Sequence, residues 1–313
     1  MTKKPKVSDQ LTPADIEILR YITEFRILTV TQIAALTHRS RQVVRRRLRV
    51  FGAENLVTAR SRALGAGPGA RENVFSVTEV ALAVLHSKKK MTCDARCVGA
   101  KAVEPLFIEH ELSVNWFFIH LQHIQRSEPR FKVQRHIERR NSRVEGNSTG
   151  PSLPARFSTG EAADESHLIV PDGVFTISDR EKGRALLFFV EVDRGTEPLV
   201  NTKRISGDIR HKIDCYQRLF QSDRYKGCES FFKASFRGFR LLFLLNDNGR
   251  MKAVCELVQS MPPSDFIWAT TRDQMDQHGL SAPIWARGGR SEKPPESILG
   301  PLAFESSVLH TIR

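Results

Sequence analysis

The sequence predicts an α/β protein: a winged helix-turn-helix at the N-terminus, then a mixed α/β sandwich built around one sheet. Three observations carry this. Short amphipathic helices rich in arginine are followed by two strand-like runs around a glycine turn. Apolar runs at Ala185–Asp193 and Phe239–Leu245 alternate with amphipathic helical stretches, the order that builds a sheet flanked by helices. Acids gather where two of the predicted strands end: Asp172, Glu191 and Asp193.

The first helix starts at Thr12-Pro13-Ala14-Asp15. Threonine caps, proline sits at the first helical position and an acid meets the positive end of the dipole. Ile16, Leu19 and Ile22 recur at helical spacing, a second helix opens at Thr31, and a third runs from Arg41 to about Phe51. On the third, Val44, Leu48 and Phe51 share one face, which the period assigns to the core. Arg41, Gln42, Arg45, Arg46 and Arg49 fall outside it. Crowded like charges cost stability in isolation but become favourable against phosphates, and Gln42 and the early arginines can reach base edges. Leu56–Arg62 and Asn73–Val77, around Gly65-Ala66-Gly67-Pro68-Gly69, form the wing, decorated by Arg60, Arg62 and Arg71. A helix from Thr78 to about Lys88 closes this module, residues 1–90.

Residues 91–103 are expected as a linker and 104–285 as the second domain. A helix spans roughly Glu104 to Gln125, with Leu106, His110, Val114, Phe117, Leu121 and Ile124 on its buried stripe. His110 there is a hydrogen-bonded core histidine or a neighbour of the acids. Strands are expected at Phe131–Glu138, at Leu168–Ile177 interrupted by Pro171-Asp172-Gly173, at Ala185–Asp193, at Phe239–Leu245 and at Phe266–Thr270. Helices fill Thr202–Gln221 and Met251–Gln259. The stretch near 141–166 is polar and reads as a disordered-type loop, and the Gly/Arg/Pro/Ser composition from Ala286 onward as a flexible tail over 286–313.

Charge separates the two parts. Residues 1–100 carry 18 Lys/Arg against 8 Asp/Glu, and the remaining residues 30 against 27. A basic module on a nearly neutral body points to double-stranded DNA as partner. The start of the chain has no signal-peptide pattern and no apolar run is long enough to cross a membrane, so no membrane is expected. Five scattered cysteines make no disulfide framework and fit a cytoplasmic setting. Cys93 and Cys97 with His86 lack an evident fourth zinc ligand. No phosphate-gripping Gly-x4-Gly-Lys loop is present, which argues against ATP use.

Strand periodicity puts Glu191 and Asp193 on one face, with Val190 and Val192 on the other. Asp172 and Glu191 are the expected ligands of Mg2+ (or Mn2+), which takes hard oxygen donors. Asp193 is then a further ligand or the partner of Arg194, and Glu109, Glu111 or Glu138 completes the acidic cluster. A turn and a structural ion network would use the same residues.

This order of elements, with Pro171-Asp172 on the second strand and Glu191-Val192-Asp193 on the third, resembles the PD-(D/E)XK nuclease-like superfamily, whose αβα body it implies. More narrowly, the chain resembles the plasmid replication-relaxation family. The winged helix, His110-Glu111-Leu112-Ser113-Val114-Asn115, Pro171-Asp172-Gly173, Glu191–Thr196 and Lys212-Ile213-Asp214-Cys215-Tyr216 carry the likeness. It implies a plasmid or mobile-element protein acting in replication, mobilisation or DNA maintenance, with replication or mobilisation proteins or a second copy (a homodimer) as partners. The superfamily's arrangement also implies the Val192 carbonyl as a ligand. One departure matters: Asp193 stands where that pattern has lysine. The catalytic set is then Asp172, Glu191 and Asp193, with a cation arriving from elsewhere. Lys212 one helix later is the first choice, Lys203 and Arg194 the others. Two functions follow: a metal-dependent DNA endonuclease or nickase, or a non-catalytic accessory factor or transcriptional regulator using the nuclease-like fold as scaffold.

Overall fold

A computed structural model of the chain describes residues 11–62, 72–88, 105–136, 157–158, 168–200 and 208–300. The chain divides into two units, Met1–Ile119 and His120–Arg313. The boundary falls inside a long helix rather than at the expected linker, and 91–103 lies outside the described residues.

In the first unit, α1 (Pro13–Phe25) begins with the anticipated cap: Thr12 and Asp15 satisfy each other's backbone donors reciprocally. The next two elements are β1 (Leu28–Thr29) and α2 (Val30–Thr37), where Thr29 and Gln32 make a second capping box. The helix thus starts at Val30, one residue before the start expected at Thr31. Helix α3 (Arg41–Ala53), capped by Ser40, buries Val44, Leu48 and Phe51 and nothing else, as the period of its apolar residues demands. Strands β2 (Val57–Arg60) and β3 (Val74–Val77) pair antiparallel and β1 adds to β3, giving the order β1-β3-β2. Helix α4 (Glu79–Ser87) follows. Three helices and a small antiparallel sheet in this chain order make a winged helix-turn-helix; the wing's tip, 63–71, lies outside the described residues.

Helix α5 (Pro105–Ser127) is longer than its expected stripe and more buried. From Leu112 to Leu121 every residue but Trp116 is buried. In the first unit Ile108 and Leu112 join Ile27 and Val74 in one apolar cluster. Asn115 donates through its amide nitrogen to the carbonyls of Phe25 (3.3 Å) and Ile27 (2.7 Å), and the Gln32 amide donates to the Leu112 carbonyl. The start of α5 therefore belongs to the winged-helix unit, held there by polar residues that an apolar stripe does not register.

The second unit is built on a six-stranded mixed sheet in the order β11-β10-β9-β8-β7-β4. Its strands are β4 (Phe131–His136), β7 (Gly173–Asp179), β8 (Arg184–Asp193), β9 (Phe239–Leu245), β10 (Ile267–Thr271) and β11 (Ala286–Arg287). A separate pair, β5 (Phe157–Ser158) and β6 (Leu168–Ile169), lies between β4 and β7 in sequence. β4, β7 and β8 run antiparallel, whereas β8, β9 and β10 run parallel. Parallel neighbours need a crossover, supplied by α6 (Ile209–Gln221) and α8 (Asn248–Gln259). A 3-10 turn at Arg224–Cys228 and α7 (Glu229–Phe232) separate α6 from β9. The odd-numbered face of β8 and β9, including Leu187, Phe189, Leu241 and Phe243, packs on Ile209, Ile213 and Tyr216 of α6 and on Val254 and Val258 of α8. On the other face Phe175 stacks on Phe188 at 4.7 Å.

The tail expected from Ala286 is a correction. After α9 (Arg272–His278), Ala286–Arg287 pairs antiparallel with β10, Trp285 bridges to Glu296, and Ile298 and Leu299 are buried. Composition averages over 286–300 hide these few apolar anchors. Gly289 (φ +74) lies so close to α8 that a Cβ there would stand 2.3 Å from the Cys255 carbonyl. Residues 301–313 lie outside the described residues.

Candidate functional site

Two groups of charged residues need an account, one in each unit. The first is the outer face of α3. Arg41, Gln42, Arg45, Arg46 and Arg49 are exposed, and no hydrogen bond or ion pair to another described residue is recorded for them. Arg47, on the same helix, behaves differently. It forks onto the buried Asp15 at 2.6 and 2.7 Å and lies over the Phe51 ring. Burial raises the Asp15 pKa, but hydrogen bonds from Thr12 and Arg47 outweigh it and hold the carboxyl below its ordinary value. One arginine of the row is thus a strut, and four are left facing out.

On the wing, one arginine is paired within the unit. Arg62, expected on DNA, forks onto Glu109 of α5, at 2.7 Å from its Nε. Arg60 is half-buried, and Arg71 lies outside the described residues. Glu109 and Glu111, expected beside the acids of the second unit, instead serve the first. Glu111 stands 3.5 Å from Arg26, whose backbone takes a left-handed turn (φ 66) after α1. His110 is half-buried, and Glu138, Cys93 and Cys97 lie outside the described residues.

The second group lies where β8 ends and β7 begins. The two strands are antiparallel, so their acids come to the same end of the sheet. Asp172 stands one residue before β7. Its backbone N–H donates to the Val190 carbonyl, and its Oδ2 accepts from the Val192 N–H at 2.8 Å. Pro171 precedes it, so the side chain of Asp172 prolongs a ladder that the main chain is leaving. Glu191 is almost fully buried on the face towards α6, where its Oε1 accepts from the Tyr216 hydroxyl (2.7 Å) and its Oε2 from the Lys212 ammonium (3.0 Å). Lys212 also reaches Glu197 at 2.7 Å. Burial opposes the charge on Lys212, but the Glu191, Asp172 and Glu197 carboxylates outweigh it and raise the ammonium's pKa above its ordinary value.

Asp193 was expected as a catalytic acid, with Arg194 as its alternative partner. Its partner is Arg250, whose Nε donates to Oδ2 at 2.5 Å; Oδ1 accepts from the Gly195 N–H at 2.8 Å. The structure therefore brings Asp172, Glu191 and Lys212 together and gives Asp193 a different neighbour. Sequence reading missed Glu197, Tyr216 as a polar partner, and Arg250. Arg250 and Tyr216 lie on helices far along the chain, Arg250 57 positions from Asp193. Lys203 lies outside the described residues.

The donor chemistry bears on a cation. Two buried carboxylates at one sheet end match what magnesium takes when waters and a phosphate complete its shell. Among the described residues no cluster of three or more His, Cys, Asp or Glu could hold a metal by itself. Asp172 and Glu191 have the donor chemistry for such an ion but do not by themselves make a metal cage.

Together these features define a two-unit chain in which an arginine-faced winged helix precedes a mixed sheet carrying an acid–lysine cluster. Residues 19–234 match the Replication-relaxation family, and the chain belongs to it. No curated protein sequence matches the chain. Among solved structures, a ZitR variant from Lactococcus lactis is 24% identical over 28% of this chain and 56% of its own, with a TM-score of 0.23. A ZitR variant in complex with DNA gives 24% identity, 29% and 59% coverage and a TM-score of 0.22. AdcR from Streptococcus pyogenes gives 15%, 39%, 83% and 0.23. The chain thus spans little more than half the length of the first of these, and the strand order, not these overlaps, defines the fold. Among the described residues no helix is long and apolar enough to cross a membrane.

Proposed function

We propose that the protein binds double-stranded DNA through the outer face of α3 and hydrolyses a phosphodiester bond at the Asp172–Glu191–Lys212 cluster, as a magnesium- or manganese-dependent endonuclease or nickase of the PD-(D/E)XK type. The observation that carries the second half is the 3.0 Å contact of Lys212 with Glu191. The succession of helix α5, strands β4, β7 and β8, then α6 and β9 supports this reading, with Lys212 on α6 offered in place of the cation that β8 lacks. Membership of the Replication-relaxation family supports a role in replication, and we take a plasmid or mobile element as its setting.

Hydrolysis adds water to phosphorus, breaks the bond to the leaving oxygen and places extra negative charge on the phosphoryl oxygens. Asp172 and Glu191 would hold the divalent ion, which supplies Lewis-acid neutralisation of the phosphate when bound. Lys212 carries a fixed positive charge at the same spot, able to offset charge developing on the substrate. Tyr216 and Glu197 keep Glu191 and Lys212 from turning away. On the DNA side, Arg41, Arg45, Arg46 and Arg49 would meet phosphates, with Gln42 and Arg41, nearest the helix start, able to reach base edges.

Incubation of supercoiled plasmid with the protein and Mg2+ or Mn2+, beside the Glu191→Ala variant, tests this. Nicking or linearisation present in the wild type and lost in the variant is the expected result. A second reading has its own support: every acid of the cluster is already hydrogen-bonded within the chain, and Asp193 replaces the strand lysine. Under it the sheet is a scaffold of a non-catalytic accessory factor or transcriptional regulator. A salt-sensitive gel shift without cutting, under either metal, would select that reading.

A further inference from the structure

Arg250 is in an unfavourable place for its own helix. It lies in the first turn of α8, three residues after the cap Asp247, where the helix dipole disfavours a cation. Its neighbours explain it. The guanidinium donates through Nε to Asp193 (2.5 Å) and through Nη2 to the Glu197 carbonyl (2.5 Å). Asp193 in turn takes the Gly195 N–H, and Gly195 turns the chain at φ +76. One arginine thus holds both ends of the turn from Asp193 to Glu197.

That turn touches Lys212 by two routes. The Glu197 carboxylate contacts the ammonium directly at 2.7 Å. Just beyond, the Pro198 and Leu199 carbonyls accept from the Ile209 and Arg210 N–H groups. These are among the first donors of α6, which no helical carbonyl can satisfy. The turn therefore anchors the start of the helix that carries Lys212.

We infer that Arg250 is a positioning residue: clamped to Asp193, it fixes the 193–197 turn so that Glu197 and the start of α6 hold Lys212 against Glu191. Asp193 is then the counter-ion of Arg250, not a ligand or a catalytic acid. The inference rests on the proposed cleavage only in taking Lys212 as a working group.

The test uses the full chain in three forms: wild type, Arg250→Met and Glu197→Gln. The second variant cuts the last link while leaving the Arg250–Asp193 pair intact, and so covers the case in which Arg250→Met fails to fold. Two measurements are made on each. The first is the nitrogen-15 NMR signal of the Lys212 side-chain ammonium, assigned with Lys212→Arg, which reports whether that group is held. The second is the single-turnover rate of plasmid nicking with Mg2+, read beside DNA affinity by gel shift. Expected are a resolved Lys212 signal in the wild type, its loss in both variants, and a rate lower by about 100-fold at unchanged DNA affinity. A lysine signal that persists in the folded variants overturns the inference, even if the wild type cuts DNA. If the wild type cuts nothing yet the signal follows this pattern, cleavage falls and the positioning role stands. Arg250→Lys keeps the charge but not the fork, and partial recovery of the signal supports the geometric clamp.

Discussion

The outer face of α3 and the acid end of the sheet are both dense in charge, yet the fold treats them in opposite ways. On α3, four arginines project outward with no recorded partner among the described residues, and only Arg47 is turned to internal use. At the sheet, Asp172, Glu191, Asp193, Lys212 and Arg250 each bond to another part of the chain. Folding gains nothing from the first arrangement, since like charges spaced along a helix repel. It depends heavily on the second, because buried charges must be paired. Charge left unbalanced by the fold is available to a partner, while balanced charge fixes geometry.

The largest effect expected from breaking this comparison is at Glu191. Glu191→Ala removes the acceptor of both Lys212 and Tyr216 in a buried setting. Denaturant unfolding is expected to show a loss of about 3 kcal/mol, the usual cost of breaking a buried pair. Exchanging Arg45 and Arg46 for glutamate does the reverse: little change in unfolding, but a large loss of DNA affinity. The slope of log affinity against log salt is expected to become shallower by about 2, for two lost phosphate contacts. Arg47→Ala sharpens the contrast within one helix. It strands the buried Asp15 and is expected to destabilise by about 2 kcal/mol, with less effect on DNA than the double exchange.

Smaller effects test the borders. Glu109→Gln weakens the hold on Arg62, and a gel shift is expected to show DNA binding tighter by about threefold, the scale of one surface charge contact. The smallest concerns acid. Hydrogen bonds from Arg130 are the main cause holding the Asp179 carboxyl down at about 2, against an ordinary 3.8. A depressed carboxylate stabilises the fold above its unfolded pKa and loses that contribution as pH falls through the folded value. Stability supplied by this pair is therefore full above about pH 4 and lost towards pH 2. Unfolding of Arg130→Met followed across that window is expected to show a weaker pH dependence than the wild type.

What could be read from the sequence divides along physical lines. The buried face of α3, the cap at Thr12, a helix opening at about Thr78, and β9 at Phe239–Leu245 follow from local period and local hydrogen bonding, which a sequence carries openly. Lys212 could be named because it flanks the apolar stripe of α6. Glu197 and Arg250 could not, since their roles depend on a turn and a helix start meeting across 53 residues. The pairing of Arg62 was hidden for a related reason: a wing arginine and an arginine paired with Glu109 read the same until α5 is folded beside it. The segment after Ala286 misled through its glycines, since a residue with no side chain serves a loose chain and a tight approach equally well.

That last segment also guards the sheet. Parallel strands leave a row of unsatisfied backbone groups at their border, an open invitation to a strand from another molecule. β10 would present such a border, but β11 covers it with only two residues, one of them Arg287, and then turns away at Gly288 and Gly289. A strand this short, ending in charge and glycine, offers the next chain nothing to extend. Shortening the protein at the point where its composition changes would remove the stop and leave Trp268 and its neighbours as an adhesive edge.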